Sequence, residues 1–109
     1  INARFVKPLD EDLIVNLGKD TKLLVSLEEN SIHGGFGSGV LEILSKNRIC
    51  IPTLQIGAPD RFIPQGSLEE QLNEAELSVE QIYVRVLEKL PEVLNKIRKK
   101  RTLGQKKRA

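Results

Sequence analysis

The 109-residue chain contains one cysteine, one histidine, no methionine and no tryptophan, and only 4% of its residues are aromatic. A single cysteine excludes an internal disulfide and a cysteine-rich metal site, and it is typical of a reducing compartment. Cys50 lies between Ile49 and Ile51, which predicts that it is buried as a small apolar side chain. Because aromatic residues are scarce, we expect a core of Ile, Leu and Val.

The chain also lacks a long apolar run. No stretch approaches the roughly 20 apolar residues that a helix needs to cross a bilayer, and the opening INARFVKP does not resemble a signal peptide. The length allows one small domain at most. Because the sequence opens in an apolar run without methionine, we expect it to be a piece of a longer polypeptide.

The net charge of +2 is unevenly distributed. Residues 1–95 contain all fifteen acidic residues and carry a net charge of −6, whereas residues 96–109 contain eight basic residues and carry +8. No aromatic residue is interleaved with these basic residues, so we interpret 96–109 as a basic, disordered tail behind a domain at 1–95. The alternative is a binding module whose tail neutralises nucleic-acid phosphates or another acidic surface.

Hydrophobic periodicity predicts the element order β-α-β-α-β-(α)-α, without internal repeats. The predicted strands are at 1–6, 23–27 and 49–56. The second strand is apolar on both sides, which is typical of a strand covered on both faces of a parallel sheet. Strands that alternate with helices predict an α/β fold of three layers, α/β/α, around a mostly parallel sheet.

The helices of this pattern have recognisable ends. Asp10 is the expected N-cap of a short first helix, and Gly18 its left-handed C-terminal residue. A second helix is expected at about residues 38–46. Capping boxes that begin at Ser67 and Ser78 predict two more helices, and Pro91 is expected to break or kink the last one.

Four glycines follow the second strand within LEENSIHGGFGSG, directly before a helix. This is the usual setting of a phosphate-binding loop. However, the GxGxxG pattern fails at Val40, the Lys-Ser/Thr pair of a Walker motif is missing, and Glu28 and Glu29 would repel a phosphate. We therefore interpret the glycines as a tight turn with close backbone packing.

Other candidate catalytic residues are isolated. Glu28 and Glu29 are neighbours on a strand, so their side chains point to opposite faces and do not converge on one atom. His33 has no catalytic or metal-binding partner at motif spacing, and Asp60 and Arg61 follow a proline in a turn. The residues alone thus predict an α/β domain without a self-sufficient active site.

Three blocks together resemble a known family: NARFVKPLDEDLI, LLVSLEENSIHGGFGSGVLEIL and IGAPDRFIPQG. In this order they are similar to the C-terminal domain of the 1-deoxy-D-xylulose-5-phosphate synthases, which are transketolase-like thiamine-diphosphate enzymes. The resemblance extends from Ile1 to about Leu90. It favours these synthases over transketolase itself or the β chain of pyruvate dehydrogenase E1, although the equivalent domain of another transketolase-like enzyme stays an alternative.

The resemblance implies a transferase that condenses pyruvate with D-glyceraldehyde 3-phosphate, releases CO2 and feeds isoprenoid, thiamine and pyridoxal synthesis. Thiamine diphosphate and Mg²⁺ would be bound by the first two domains of a homodimer in a bacterial cytoplasm or a plastid. No catalytic, cofactor or metal residue is carried over to this chain, and the fragment is expected to be inactive alone. Neither a nucleic-acid partner nor a membrane is expected.

The resemblance also implies contacts with the rest of the enzyme through the loops that follow the strands. The candidate domain-interface residues are Arg4, Lys7, Asp10, Glu28, Glu29, Asn30, Gly35, Asp60 and Arg61. The family domain begins with a further strand and helix, and its sheet places that strand between the strands of Arg4 and Leu27. We therefore expect a sheet with an exposed edge, and a fragment that self-associates, rearranges its sheet or takes up the missing piece from another chain.

Overall fold

A computed structural model describes the backbone of residues 1–106 and the side chains of residues 1–95. Its elements in chain order are α1 (Glu11–Asp20), β1 (Leu24–Ser31), α2 (Phe36–Lys46), β2 (Thr53–Ala58), α3 (Leu68–Glu74) and α4 (Val79–Lys106). Helices and strands alternate as far as β2, as expected for an α/β fold. Among the described residues, no helix is long and apolar enough to span a membrane.

The sheet consists of β1 and β2, which pair in parallel. Leu24 lies opposite Thr53 and Leu27 opposite Ile56, and the Leu24 N–H donates to the Pro52 carbonyl at 3.0 Å. In a parallel ladder, alternate residues direct both backbone groups to the same neighbour. Leu24 and the second residue after it therefore bond to β2, whereas Val25 and Leu27 direct their N–H and C=O groups to the other edge of β1.

Two apolar clusters cover opposite faces of this sheet. The first contains Ile14 of α1 with Val40 and Leu44 of α2, and Leu24 of β1 packs against it. The second contains buried Ile56 of β2, packed against residues of α3, the α3–α4 connection and α4. Because the register places Leu24 and Ile56 on opposite faces, the three-layer α/β/α arrangement is confirmed.

The predicted first strand is wrong. Residues 1–6 form no strand and are exposed, with Ile1 and Phe5 at 87% and 69% of their full exposure. A strand is stabilised by the hydrogen bonds of a neighbour, and among the described residues no backbone bond joins 1–6 to β1. The second strand is covered on one face only, because Val25 and Leu27 are 39% and 56% exposed. Val25 and Leu27 are exposed because α4 packs on β2 and leaves the same face of β1 uncovered.

Several predicted helix ends are confirmed and one is wrong. The Asp10 carboxylate accepts the Leu13 N–H at 3.0 Å and caps α1. Gly18 does not end this helix, which continues to Asp20. Instead Gly18 is buried, and a Cβ there would lie 2.7 Å from Leu44 Cδ2. A glycine at this position therefore allows α1 and α2 to pack closely.

Both capping boxes are confirmed. The Ser67 hydroxyl accepts the Glu70 N–H at 3.3 Å, and the Ser78 hydroxyl accepts the Gln81 N–H at 3.4 Å. Pro91 does not break the last helix, since α4 runs through it and Val93 beyond it is only 3% exposed. The backbone of 96–106 continues this helix. The side chains of that segment and residues 107–109 lie outside the described residues, so the tail boundary stays a prediction.

Cys50 is exposed, contrary to the sequence-based expectation. Its neighbours Ile49 and Ile51 both pack against the first apolar cluster. Because the isoleucines on both sides of Cys50 pack inward, the thiol between them is left on the outside of the segment that leads into β2.

Candidate functional site: the turn between β1 and α2

Glu28, in the second half of β1, connects this strand to the beginning of α2. Its Oε2 accepts the Phe36 N–H at 2.7 Å, and its Oε1 accepts the Gly37 N–H at 3.0 Å. The first turn of a helix carries unpaired N–H donors and a partial positive charge, which together stabilise an anion. The anion at this helix end is the chain's own carboxylate, which is half-buried.

The glycines of the turn leave the space that this contact needs. A Cβ at Gly35 would collide with the Glu28 carboxylate. A Cβ at Gly37 would lie 2.6 Å from Ser26 Oγ and 2.7 Å from Gln55 Nε2, so it would press α2 away from both strands. The interpretation of these glycines as a packing turn agrees with this geometry.

Ser38 holds the middle of the same turn. Its hydroxyl accepts the Gly34 N–H at 3.1 Å and donates to the Ile32 carbonyl at 3.4 Å. Gly34 has a φ of 72°, in the left-handed region that glycine adopts at low cost. The chain therefore reverses between β1 and α2 with its polar groups paired internally.

This arrangement leaves little chemistry to the turn. A phosphate at the start of α2 would have to displace the Glu28 carboxylate, which already occupies the two donors. Glu29 and His33 are exposed and lie outside this contact. Among the described side chains, no group of three or more His, Cys, Asp or Glu residues is placed to hold a metal ion. The residues present do not fit a thiamine-diphosphate or magnesium site.

The remaining interface candidates fall into two groups. Asp60 and Arg61 follow β2, and since β1 and β2 are parallel, their loop lies at the same sheet end as the glycine turn. The Arg61 guanidinium donates to the Glu74 carbonyl and, at 3.3 Å, to the Glu74 carboxylate, so it caps α3. The other group lies at the N-terminal side, where Arg4 and Lys7 are exposed.

A groove of about 640 Å³ opens along the free edge of β1. Its lining comprises residues of the N-terminal segment other than Arg4, residues of β1, and apolar residues of α1 and α2. Three of the interface candidates, Asp10, Glu28 and Asn30, also line it. We call it the β1-edge groove.

Sequence reasoning missed Gln55 and Arg85. The Gln55 carbonyl points away from β1 and accepts a bond from the Arg85 guanidinium of α4 at 3.2 Å. The Gln55 side-chain nitrogen is buried without a hydrogen-bond partner among the described residues. A polar residue inside the apolar run ICIPTLQI was the available signal for Gln55, whereas nothing in the helical pattern distinguishes Arg85 from the other basic residues.

Two carboxyl groups with altered acidity lie outside the turn. Hydrogen bonds from Asn47 and Lys46 lower the pKa of Glu11, which connects α1 to the end of α2. Hydrogen bonds from the Ser67 backbone and side chain lower the pKa of Glu70 in the α3 capping box. Both cases are structural contacts on the surface.

The sequence was compared with protein families and with curated proteins. Residues 1–82 match the family model "Transketolase, C-terminal domain". The 1-deoxy-D-xylulose-5-phosphate synthase of Blochmanniella floridana is 52% identical over 87 residues, which cover 80% of this chain and 14% of that protein. The synthase of an Enterobacter species is 56% identical over 70 residues, 64% of this chain and 11% of that protein. That of Shewanella putrefaciens is 46% identical over 86 residues, 79% and 14%.

Proposed function

This chain belongs to the transketolase C-terminal domain family, and from that premise we propose that it is the C-terminal scaffold domain of a 1-deoxy-D-xylulose-5-phosphate synthase. The whole enzyme condenses pyruvate with D-glyceraldehyde 3-phosphate and releases CO2. The names and the 46–56% identity of the relatives support this assignment, although the chain spans only 11–14% of their length. Thiamine diphosphate and Mg²⁺ belong to other parts of the enzyme, in the cytoplasm of a bacterium.

The role assigned to this chain is assembly. The observation that carries it is the β1-edge groove, where the backbone groups of Val25 and Leu27 are directed to an edge that pairs with no strand of residues 1–106. An unpaired edge beside apolar side chains fits a further segment of polypeptide. The groove is lined by Ala3 and Phe5, the neighbours of Arg4, and by Leu27, and the family resemblance expects another strand between Arg4 and Leu27. We assign that segment to the rest of the enzyme's own polypeptide.

The loops at the carboxyl ends of β1 and β2 are the second part of this assembly surface. Glu29, Asn30 and Asp60 are exposed there, and they are free to contact the neighbouring domain or the second subunit of a homodimer. Glu28 and Gly35 act indirectly, because their contact fixes the shape of the turn.

A chimera tests the enzyme assignment. Residues 1–95 replace the matching segment of the Enterobacter synthase, and formation of 1-deoxy-D-xylulose 5-phosphate is measured beside the parent and a version without that segment. We expect the chimera to restore the activity that the shortened enzyme loses. A folded chimera without activity would contradict the proposal, as would thiamine-diphosphate binding or pyruvate turnover by the 109-residue chain alone. Activity on a different sugar would favour the equivalent domain of another transketolase-like enzyme.

Alanine substitutions in the same chimera test the loop surface. Asn30→Ala and Asp60→Ala should weaken dimerisation or turnover, because each removes an exposed polar group from the end of a strand. Asn16→Ala, on the exposed side of α1, is the control and should change neither. Equal behaviour of all three variants would show that these loops make no functional contact.

A further inference from the structure

The apolar residues of α4 form two neighbouring rows, and the body of the domain covers only one. Ile82 and Val86 pack against the second cluster, and Val93 is 3% exposed. The other row is open to solvent. Its members are Tyr83, Leu87, Leu90 and Leu94, with exposures of 63%, 44%, 37% and 53%.

The spacing of this open row is that of a helix–helix seam. Its members are separated by four, three and four residues, which places them in one line along the helix. Val79, 77% exposed, extends the row by one turn at its beginning. Single exposed apolar residues are ordinary, but a continuous row marks a surface that packs against a partner. We call residues 79–94 of this row the α4 seam.

The charges on the two sides of the α4 seam are opposite. Before and at its beginning, over residues 68–80, lie five exposed glutamates and no basic residue: Glu69, Glu70, Glu74, Glu76 and Glu80. After it, residues 96–109 carry eight basic residues and no acidic one. A partner helix of the same kind can therefore complement both ends, provided that it runs in the opposite direction.

We propose that the α4 seam is a self-association surface on which a second copy of this chain packs antiparallel. The twofold axis passes between Leu87 and Leu90, so Tyr83 of each copy lies beside Leu94 of the other. The backbone of residues 96–106, which continues α4, then runs toward the beginning of the mate's α4, where Glu80 and the acidic residues before it lie. A parallel pair would instead place acidic beside acidic and basic beside basic segments, which is unfavourable.

This pairing does not depend on the proposed enzymatic function, and it differs from association through the β1-edge groove. Both modes produce dimers, but they use different residues. The oligomeric state of the 109-residue chain is measured by analytical ultracentrifugation under reducing conditions, because Cys50 is exposed. A chain that stays monomeric at all accessible concentrations overturns the proposal.

The double variant Leu87→Lys with Leu94→Lys tests the surface. Lysine keeps a high helix propensity, and both leucines are about half exposed in the single chain, so the fold should be retained by circular dichroism. We expect dimerisation to weaken at least tenfold. Leu41→Lys is the matched control, because Leu41 is a 36%-exposed leucine on α2, outside the α4 seam. This variant should dimerise normally. If Leu27→Lys at the β1 edge abolishes dimerisation and the α4 variant does not, the proposal is wrong.

Cysteine cross-linking tests the direction of the pair. In a Cys50→Ser background, Tyr83→Cys and Leu94→Cys variants are oxidised separately and as a mixture. An antiparallel pair brings the two positions together only between different variants, so a disulfide-linked dimer should form in the mixture alone. Cross-linking of each variant with itself would show parallel packing and overturn the assignment.

The salt dependence of dimerisation is an independent test of the direction of the pair. Raising the ionic strength from about 0.05 to about 0.5 M screens attraction between opposite charges. An antiparallel pair should therefore dissociate more readily at high salt, whereas a parallel pair should tighten as its repulsion is screened. Tighter association at high salt contradicts the proposed orientation.

Discussion

β1 and β2 pair in register from Leu24 and Thr53 to Leu27 and Ile56, yet on the face that carries the second cluster only β2 is covered. Ile56 of β2 is fully buried, whereas its register partner Leu27 of β1 is 56% exposed. The outer edge of β2 receives a hydrogen bond from Arg85, and the outer edge of β1 faces a groove. The difference follows from chain order, because α3 and α4 come after β2 and return over it. An apolar strand therefore indicates burial only where a later or earlier element reaches it.

The largest expected effect is the difference in stability between alanine variants of the two register partners, Ile56 and Leu27. Ile56→Ala should destabilise the chain by about 3–4 kcal/mol, because it leaves a cavity in a packed cluster. Leu27→Ala should cost less than about 1 kcal/mol, since its side chain is mostly in water. Denaturant unfolding of both variants measures the difference. Equal losses would show that β1 is covered in solution as fully as β2.

On the open side, β1 is held at its carboxyl end by the glycine turn. Gly35→Ala should cost about 3 kcal/mol, because a Cβ there meets the Glu28 carboxylate and the Ser31 carbonyl and the turn must shift. Gly34→Ala is the matched control, since its φ of 72° is strained for alanine but its Cβ would meet nothing within 4 Å. Its cost should be only about 1 kcal/mol. If the two variants are equally destabilised, backbone strain alone explains the requirement for glycine.

The Glu28 carboxylate also holds β1 to the glycine turn, through its hydrogen bonds from the first N–H groups of α2. Glu28→Gln should destabilise the chain by about 2 kcal/mol, because one acceptor oxygen becomes an NH2 group that faces a backbone N–H. Glu29→Gln, the exposed neighbour, should change stability by less than about 0.5 kcal/mol. Thermal or denaturant unfolding distinguishes them. If Glu28→Gln is as stable as the original chain, water replaces the carboxylate at the α2 N-terminus without loss of stability.

The sequence predicted the features that depend on neighbouring residues. Asp10, Ser67 and Ser78 cap helices as expected, and the strand–turn–helix unit around Glu28 has the predicted order. Predictions of features that depend on distant contacts were wrong. Gly18 carries the signature of a helix end, but its role is set by Leu44, far along the chain. Residues 1–6 have a strand pattern, but a strand forms only beside a partner.

The candidate site follows the same division. Rejection of the phosphate loop followed from the missing motif residues and from the carboxylates at its mouth. The double hydrogen bond from the start of α2 to Glu28 could not be predicted, because a strand pattern does not specify which carboxylate turns toward the helix. The exposed row on α4 could not be predicted either, since periodicity gives the width of an apolar face but not how much of it the body covers.

The smallest expected effect concerns the covered side, where α3 begins with its capping box. Hydrogen bonds from Ser67 hold the pKa of Glu70 below its ordinary value of 4.5. A carboxyl whose pKa is lower in the folded chain stabilises the fold above its unfolded pKa, and this contribution is lost as the pH falls through the folded pKa. Glu70→Gln keeps an acceptor for the capping box but removes the charge. The stability difference between the original chain and this variant should therefore shrink between about pH 6 and pH 3.

Glu69→Gln is the control for this pH series, because it removes the same charge from the same turn but not from the capping box. Its stability difference should change less with pH than that of Glu70→Gln. Urea unfolding at each pH measures both. If the two differences fall in parallel, the general charge of the α3 N-terminus carries the effect, and the specific contact with Ser67 does not.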